Sequence, residues 1–329
     1  MIDRRTATLR SPAVAGKRAV FRYRNDAARE VLFRADSTQG RALPMKRAGD
    51  LWVLSREYPR DARDEYLFEV DGEPILDPSN PLRAPGGFGP RSECRMPGYT
   101  APRPVELPVD GKMERRHWAG RDVDVYVPAR VHGAAVLVVQ DGWDYIWYGA
   151  LPGLLDHLIA TGAIPPALAV FISPINRDAE YTPNDEYVWW LADELMPAVA
   201  AQYPIDADPG RHGLIGASLG GSIATYGVLR RPDAFRLGGA QSPAYRVEAH
   251  AHGTLGVPGE VDGTGLRFHV DGGRFEQMLH GIDFLPYVRS GVDALRERGC
   301  AVQYTEVNEG HNYTNWRGRL PSLLTWLLA

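Results

Sequence analysis

The sequence predicts an α/β protein in two parts: a small all-β sandwich, then a larger, mostly parallel, doubly wound sheet. Three observations predict it. The first hundred residues hold only short β-rich runs, and the rest alternates continuous apolar runs with helical stretches. At one strand–helix junction stands Gly216-Ala217-Ser218-Leu219-Gly220.

In the first part, residues 18–23, 30–34, 51–58 and 64–70 are rich in Val, Phe, Tyr and Trp. Turn residues bound them: Asn25-Asp26, Gly49-Asp50, Arg60-Asp61 and Asp71-Gly72. Strands this close, with no helical stretch between them, form a small sandwich. Apolar residues do not alternate cleanly in 65–70. Residues 77–100, DPSNPLRAPGGFGPRSECRMPGYT, are crowded with Pro and Gly and, with 101–108, read as an irregular connector. The boundary is placed near residue 105, giving domains 1–104 and 105–329.

From residue 109 the pattern changes. Two polar-alternating strands, 112–118 and 121–127, suggest a hairpin about Ala119-Gly120. Residues 134–140, AAVLVVQ, are apolar throughout, as a strand buried on both faces must be. Then follow a helix at 151–160, strand 167–172, helix 186–202, strand 212–215, helix 218–230 and strand 237–240. Strand 266–270, helix 282–298, strand 302–307 and helix 316–328 complete the alternation, which implies helices on both faces of a parallel sheet.

Composition bounds the function. With 37 Lys and Arg against 41 Asp and Glu, the net charge is −4, and no basic face marks a nucleic-acid binder. Cys94 and Cys300 are the only cysteines, without metal-ligand spacing and too few for a disulfide framework. The first residues, MIDRRTATLRSP, lack the apolar core of a signal peptide, and no apolar run approaches a membrane span. The expectation is a reduced, cytoplasmic, soluble protein with no membrane or nucleic-acid partner. A homodimer through the first domain is left open.

The Gly216–Gly220 stretch fits G-x-S-x-G, in which small residues let the backbone turn sharply and expose the serine at the start of a helix. In that context it indicates the α/β-hydrolase fold, with Ser218 as nucleophile. Of nine histidines, His311 is chosen as general base because its Glu309-Gly310-His311-Asn312 loop follows the last buried strand. His212 opens its strand and so sits at the wrong end. For the acid, two carboxylates compete: Asp271 at a strand end and Glu276 three residues after Gly273, with a Ser–His dyad a third option. Leu219 and Trp143 supply the oxyanion N–H groups, the latter from the Gln140-Asp141-Gly142-Trp143 loop. No metal or organic cofactor is required.

These residues resemble the enterochelin (enterobactin) esterases and the wider esterase D-like α/β-hydrolases. The likeness covers most of 134–328 and is carried by QDGW at 140–143, INRDAEY at 175–181, GASLGG at 216–221 and GHNYTNWRGRL at 310–320. Residues 18–100 are similar to the immunoglobulin-like early-set domain that precedes such esterases. The resemblance implies hydrolysis of a small-molecule ester, the trilactone of an iron-binding catecholate siderophore being one candidate and acylated sugars or feruloyl esters the alternative. It also implies that Arg177 either meets an anionic substrate or pairs with Glu180 or Asp178. Trp143, Tyr145, Trp147, Tyr148, Tyr181, Tyr187, Trp189 and Trp190 follow the two central strands and suit an aromatic or sugar substrate, with Trp143 and Tyr181 as the expected contacts.

Overall fold

The computed structural model describes residues 9–87, 89–101, 110–245, 253, 255–257, 259–276 and 283–329. The boundary placed near residue 105, and His250 and His252, lie outside the described residues. The chain forms two compact units. One comprises Met1–Pro102, Gly273–Asp283 and Val307–Asn315; the other comprises Arg103–Gly272, Phe284–Glu306 and Trp316–Ala329.

The first unit is an all-β sandwich. A four-stranded sheet has the order Ala13–Ala15, Arg18–Arg24, Leu51–Glu57, Lys46–Ala48. A second sheet runs Leu43–Pro44, Val31–Ala35, Arg63–Val70, Arg91–Arg95, Arg83–Ala84, with Glu73–Ile75 also on Arg63–Val70. Phe21 of the first sheet meets Phe33 and Tyr66 of the second at 4.4 and 4.8 Å between ring centres. Burying such rings is worth about 2–3 kcal/mol each. The imperfect alternation of Arg63–Val70 has a physical cause. Tyr66 and Phe68 face the aromatic core, while Arg63 and Glu65 on the opposite face are buried too. Glu309 and Asn312, from the Val307–Asn315 segment of the same unit, bond Arg63 there.

The Pro/Gly-rich stretch is not a connector. Arg91–Arg95 pairs antiparallel with Arg63–Val70 and buries Ser92 and Cys94. Asp77 and Asn80 replace periodicity with side-chain bonds. Asp77 accepts from Ser11 and Tyr66, and Asn80 donates to Tyr66 and the Glu93 carbonyl. Such local bonding leaves no hydrophobic period to read.

The second unit is built on eight strands in the order Lys112–Trp118, Arg121–Val127, Ala167–Ile172, Ala135–Gln140, His212–Ala217, Leu237–Gln241, Arg267–Gly273, Ala301–Val307. The Arg121–Val127 strand pairs antiparallel on both sides, and pairings from Ala167–Ile172 through Arg267–Gly273 are parallel. Ala135–Gln140, Ala167–Ile172 and His212–Ala217 are buried along their whole length. The helix expected at 186–202 is interrupted: Asp185–Trp189 and Met196–Gln202 flank a wider π turn at Trp190–Leu195. Pro197 has no N–H and its ring crowds the carbonyl four residues back. The Met196 N–H accordingly reaches the Leu191 carbonyl. No helix of the described residues is long and apolar enough to cross a membrane.

Candidate active site

Ser218 joins strand His212–Ala217 to helix Leu219–Arg230 with φ 56° and ψ −124°, a conformation that side-chain-bearing residues adopt only under constraint. The constraint is close packing. A Cβ on Gly216 would lie 2.3 Å from the Gly220 backbone, and one on Gly220 would lie 3.1 Å from Asp141 Oδ2. The Ser218 N–H donates to the Gln241 carbonyl at 2.9 Å, and its carbonyl accepts from Ala244 at 3.0 Å. Leu219 opens the helix, where N–H groups have no intrahelical acceptor and the helix dipole favours negative charge.

The neighbouring loop is built on Asp141, which also has positive φ, at 51°. Gly142 follows because a Cβ there would stand 2.5 Å from the Ile172 nitrogen. Trp143 lies in the first turn of helix Gly142–Trp147, with its side chain 52% exposed beside Trp147 and Tyr148. The carboxylate of Asp141 takes a two-pronged bond from Arg177, both contacts 2.8 Å, and its N–H donates to the Tyr181 hydroxyl at 2.9 Å.

Two expectations change here. Arg177 pairs with Asp141 rather than Glu180 or Asp178, and its guanidinium lies 5.4 Å from the Tyr181 ring centre. Glu180 instead takes Arg121 at 2.8 Å. Tyr181 is fully buried, so it supports the loop and offers no face to a substrate. Asp141 was legible as part of QDGW, but nothing local to it reveals a partner 36 positions away.

The two carboxylates differ sharply. Asp271 is fully buried within the strand that runs on through Gly273. It accepts from Arg319 at 2.9 Å, the Ser242 N–H at 3.1 Å and Gln241 at 3.2 Å. Gln241 in turn accepts from the Tyr145 hydroxyl and donates to the Trp316 carbonyl, while the Trp316 indole donates to Ser242. Trp316 and Arg319 of the NWRGRL stretch thus belong to a buried polar network around Asp271.

Glu276 and His311 sit together in the sandwich unit, with Oε2 3.5 Å from Nδ1. Backbone bonds from Arg274 to Val307 and from Phe275 to Glu309 zip their two segments together. Glu276 is buried, while the His311 side chain is 27% exposed. His311 lines a cavity of about 250 Å³ edged also by Arg34, Asp36, Glu65, Arg91 and Phe275. His212 is consumed structurally: Nδ1 accepts from Val136 N–H and Nε2 lies 3.0 Å from the Asp206 carbonyl. The groove beside it, about 460 Å³, lies at the strand's opposite end from Ser218.

Residues 119–327, which contain Ser218, Asp271, Glu276 and His311, match the Esterase family. The chain belongs to that family. An iron(III) enterobactin esterase of Escherichia coli strain CFT073 is 29% identical over 275 residues, 75% of this chain and 65% of the relative. Its counterpart from strain K12 is 28% identical over the same coverage. The chain therefore spans about 65% of the length of these curated relatives. The enterobactin esterase of Shigella flexneri, crystallised in the presence of enterobactin, matches with a TM-score of 0.77 at 22% identity, covering 94% of this chain and 92% of that one. The fold is that of an α/β-hydrolase preceded by an all-β sandwich.

Proposed function

We propose that the protein is a serine carboxylic-ester hydrolase that opens the trilactone of an iron-binding catecholate siderophore. The observation that carries the hydrolase reading is the constrained Ser218 elbow at the head of helix Leu219–Arg230. In this mechanism Ser218 Oγ attacks the ester carbonyl while His311 Nε2 takes its proton, and Glu276 stabilises the imidazolium through Nδ1. The N–H groups of Leu219 and Trp143 receive the oxyanion. The alcohol leaves with the proton from His311. Water, deprotonated by His311, then attacks the acyl-enzyme and releases the acid and free Ser218.

Glu276 is preferred as the acid because it faces His311, whereas Asp271 is held by Arg319 and Ser242. The substrate reading draws on the enterobactin esterases among the relatives and on the exposed Trp143, 52%, and Trp147, 66%, beside the oxyanion loop. Aromatic rings of this kind stack on flat substrates. The charge of Arg177 is already opposed by Asp141, so recognition of an anionic substrate would lean on stacking more than on this guanidinium. The buried free thiols of Cys94 and Cys300 suit work in the cytoplasm.

Purified enzyme tested on ferric and iron-free enterobactin, a feruloyl ester, an acetylated sugar and p-nitrophenyl esters decides the substrate. Faster trilactone cleavage than p-nitrophenyl turnover is expected. Preference for feruloyl or sugar esters would keep the mechanism and discard the siderophore. Failure of a fluorophosphonate to label Ser218, with no substrate cleaved, would sink the hydrolase reading.

A further inference from the structure

We propose that Asp36 and Arg63 of the β-sandwich are positioning residues for the catalytic base: by gripping Gly310 and Asn312 on either side of His311, they fix the imidazole against Glu276. The proposal rests on His311 being the base.

His311 Nδ1 lies 3.5 Å from Glu276 Oε2, at the outer limit of a hydrogen bond. The backbone on either side of the ring is held by shorter contacts. Asn312 Nδ2 donates to Asp36 Oδ2 at 2.8 Å, and Asn312 Oδ1 accepts from Arg63 Nη1 at 3.2 Å and from the Asn315 N–H at 3.0 Å. On the other side, a Cβ on Gly310 would fall 1.9 Å from Asp36 Oδ2, so only glycine fits, and the Gly310 carbonyl accepts from Asn315 at 2.7 Å. Two residues earlier the Arg63 N–H donates to the Asn308 carbonyl at 3.0 Å, and Asn308 donates to Asp61 at 2.8 Å.

Arg63 is wholly buried among Glu65, Glu93 and Glu309. Charged clusters of this kind gain little stability over an apolar core of the same volume, and their better attested use is to select one geometry. Here that geometry is the loop carrying His311. Asp36 faces Glu65, Asp64, Arg63 and Asn312, and Arg34, Arg91 and His311 line the same cavity. Burial first, and then the Glu65 and Asp64 carboxylates, push the Asp36 carboxyl well above its ordinary range. Its Oδ2 accepts the Asn312 bond. Asparagine keeps the shape of this side chain and an acceptor oxygen.

The test measures p-nitrophenyl acetate hydrolysis and thermal unfolding for Asn312→Ala, Asp36→Ala, Asp36→Asn and His311→Ala. Asn312→Ala and Asp36→Ala are expected to lower kcat about 10–100-fold, the size of effect a slightly misplaced catalytic group produces. KM should move less than about 2-fold, and the acidic limb of the kcat/KM profile should shift. Asp36→Asn should restore parental kcat. Parental kcat and pH profile in folded Asn312→Ala, with His311→Ala inactive, would overturn the clamp alone. Parental turnover in His311→Ala would overturn the base itself and the clamp with it. Should Asn312→Ala not fold, Asn312→Ser, too short to reach both partners, carries the same expectation.

Discussion

The serine elbow and the histidine loop are held in place by opposite means. Around Ser218 the geometry is steric: Gly216, Gly220 and Gly142 let backbones approach to distances that no side chain would permit. Around His311 it is mainly polar: Asn308, Asn312 and Glu309 are tied to Asp61, Asp36 and Arg63, and close packing against Asp36 adds a glycine requirement at Gly310. Steric shaping leaves a fixed mark in the sequence, since only glycine satisfies it. Polar tethering can be met by many side-chain combinations, so the sequence does not reveal which residues a given side chain is tied to.

The comparison is broken most sharply at the two carboxylates. Glu276→Gln should reduce kcat by about 10²–10⁴-fold while the denaturation midpoint hardly moves, because its role lies in supporting the imidazolium. Asp271→Ala should do the reverse, costing about 3–5 kcal/mol in urea unfolding by leaving Arg319 buried without its carboxylate. If Asp271→Ala is stable but inactive, the assignment of the acid is inverted.

Gly216→Ala tests the steric side. Its methyl would meet the Gly220 backbone at 2.3 Å, so a loss of about 1–3 kcal/mol in stability and about 100-fold in kcat is expected. Unchanged turnover would show that the elbow tolerates a side chain where the geometry forbids one.

The smallest effects are in pH dependence, and they have opposite signs in the two units. Burial lowers the pKa of His212 and His269, and neither ring nitrogen of His269 has a hydrogen-bond partner among the described residues. Below the unfolded value of about 6.5 the unfolded chain binds protons that the folded histidines refuse, so stability falls as pH drops through that point. His269→Phe should shrink the difference in urea midpoint between pH 7.5 and 5.5. In the sandwich the raised carboxyl of Asp36 holds its proton to higher pH than its unfolded counterpart, which ionises above about pH 4. Its contribution is therefore present at low pH and lost as pH rises. Asp36→Asn should gain on the parent from pH 4 to pH 8; an unchanging difference would show Asp36 ionised in the folded state.

Much of this molecule was legible in order. Strands 112–118, 121–127 and 167–172 and helix 151–160 fall on the observed elements, because each has an unbroken apolar period or a clean alternation. The failures share one cause. Arg91–Arg95 was hidden in a Pro/Gly-rich stretch stabilised by Asp77 and Asn80. The pairing of Arg177 with Asp141 and the network of Asp271 with Arg319 join residues far apart in the chain. Side-chain hydrogen bonds between distant segments follow from the completed fold, and local pattern carries no trace of them.

One feature of the sandwich also bears on the order in which the chain is completed during its synthesis. Arg63 is completed by Glu309 and Asn312, which lie 246 and 249 positions later in the chain. The nascent sandwich therefore leaves the ribosome with a charged strand face uncovered, closing it only once the segment bearing the proposed base has emerged. A chain stalled before residue 307 holds the aromatic core of the sandwich but lacks Glu309, Asn312 and the proposed base.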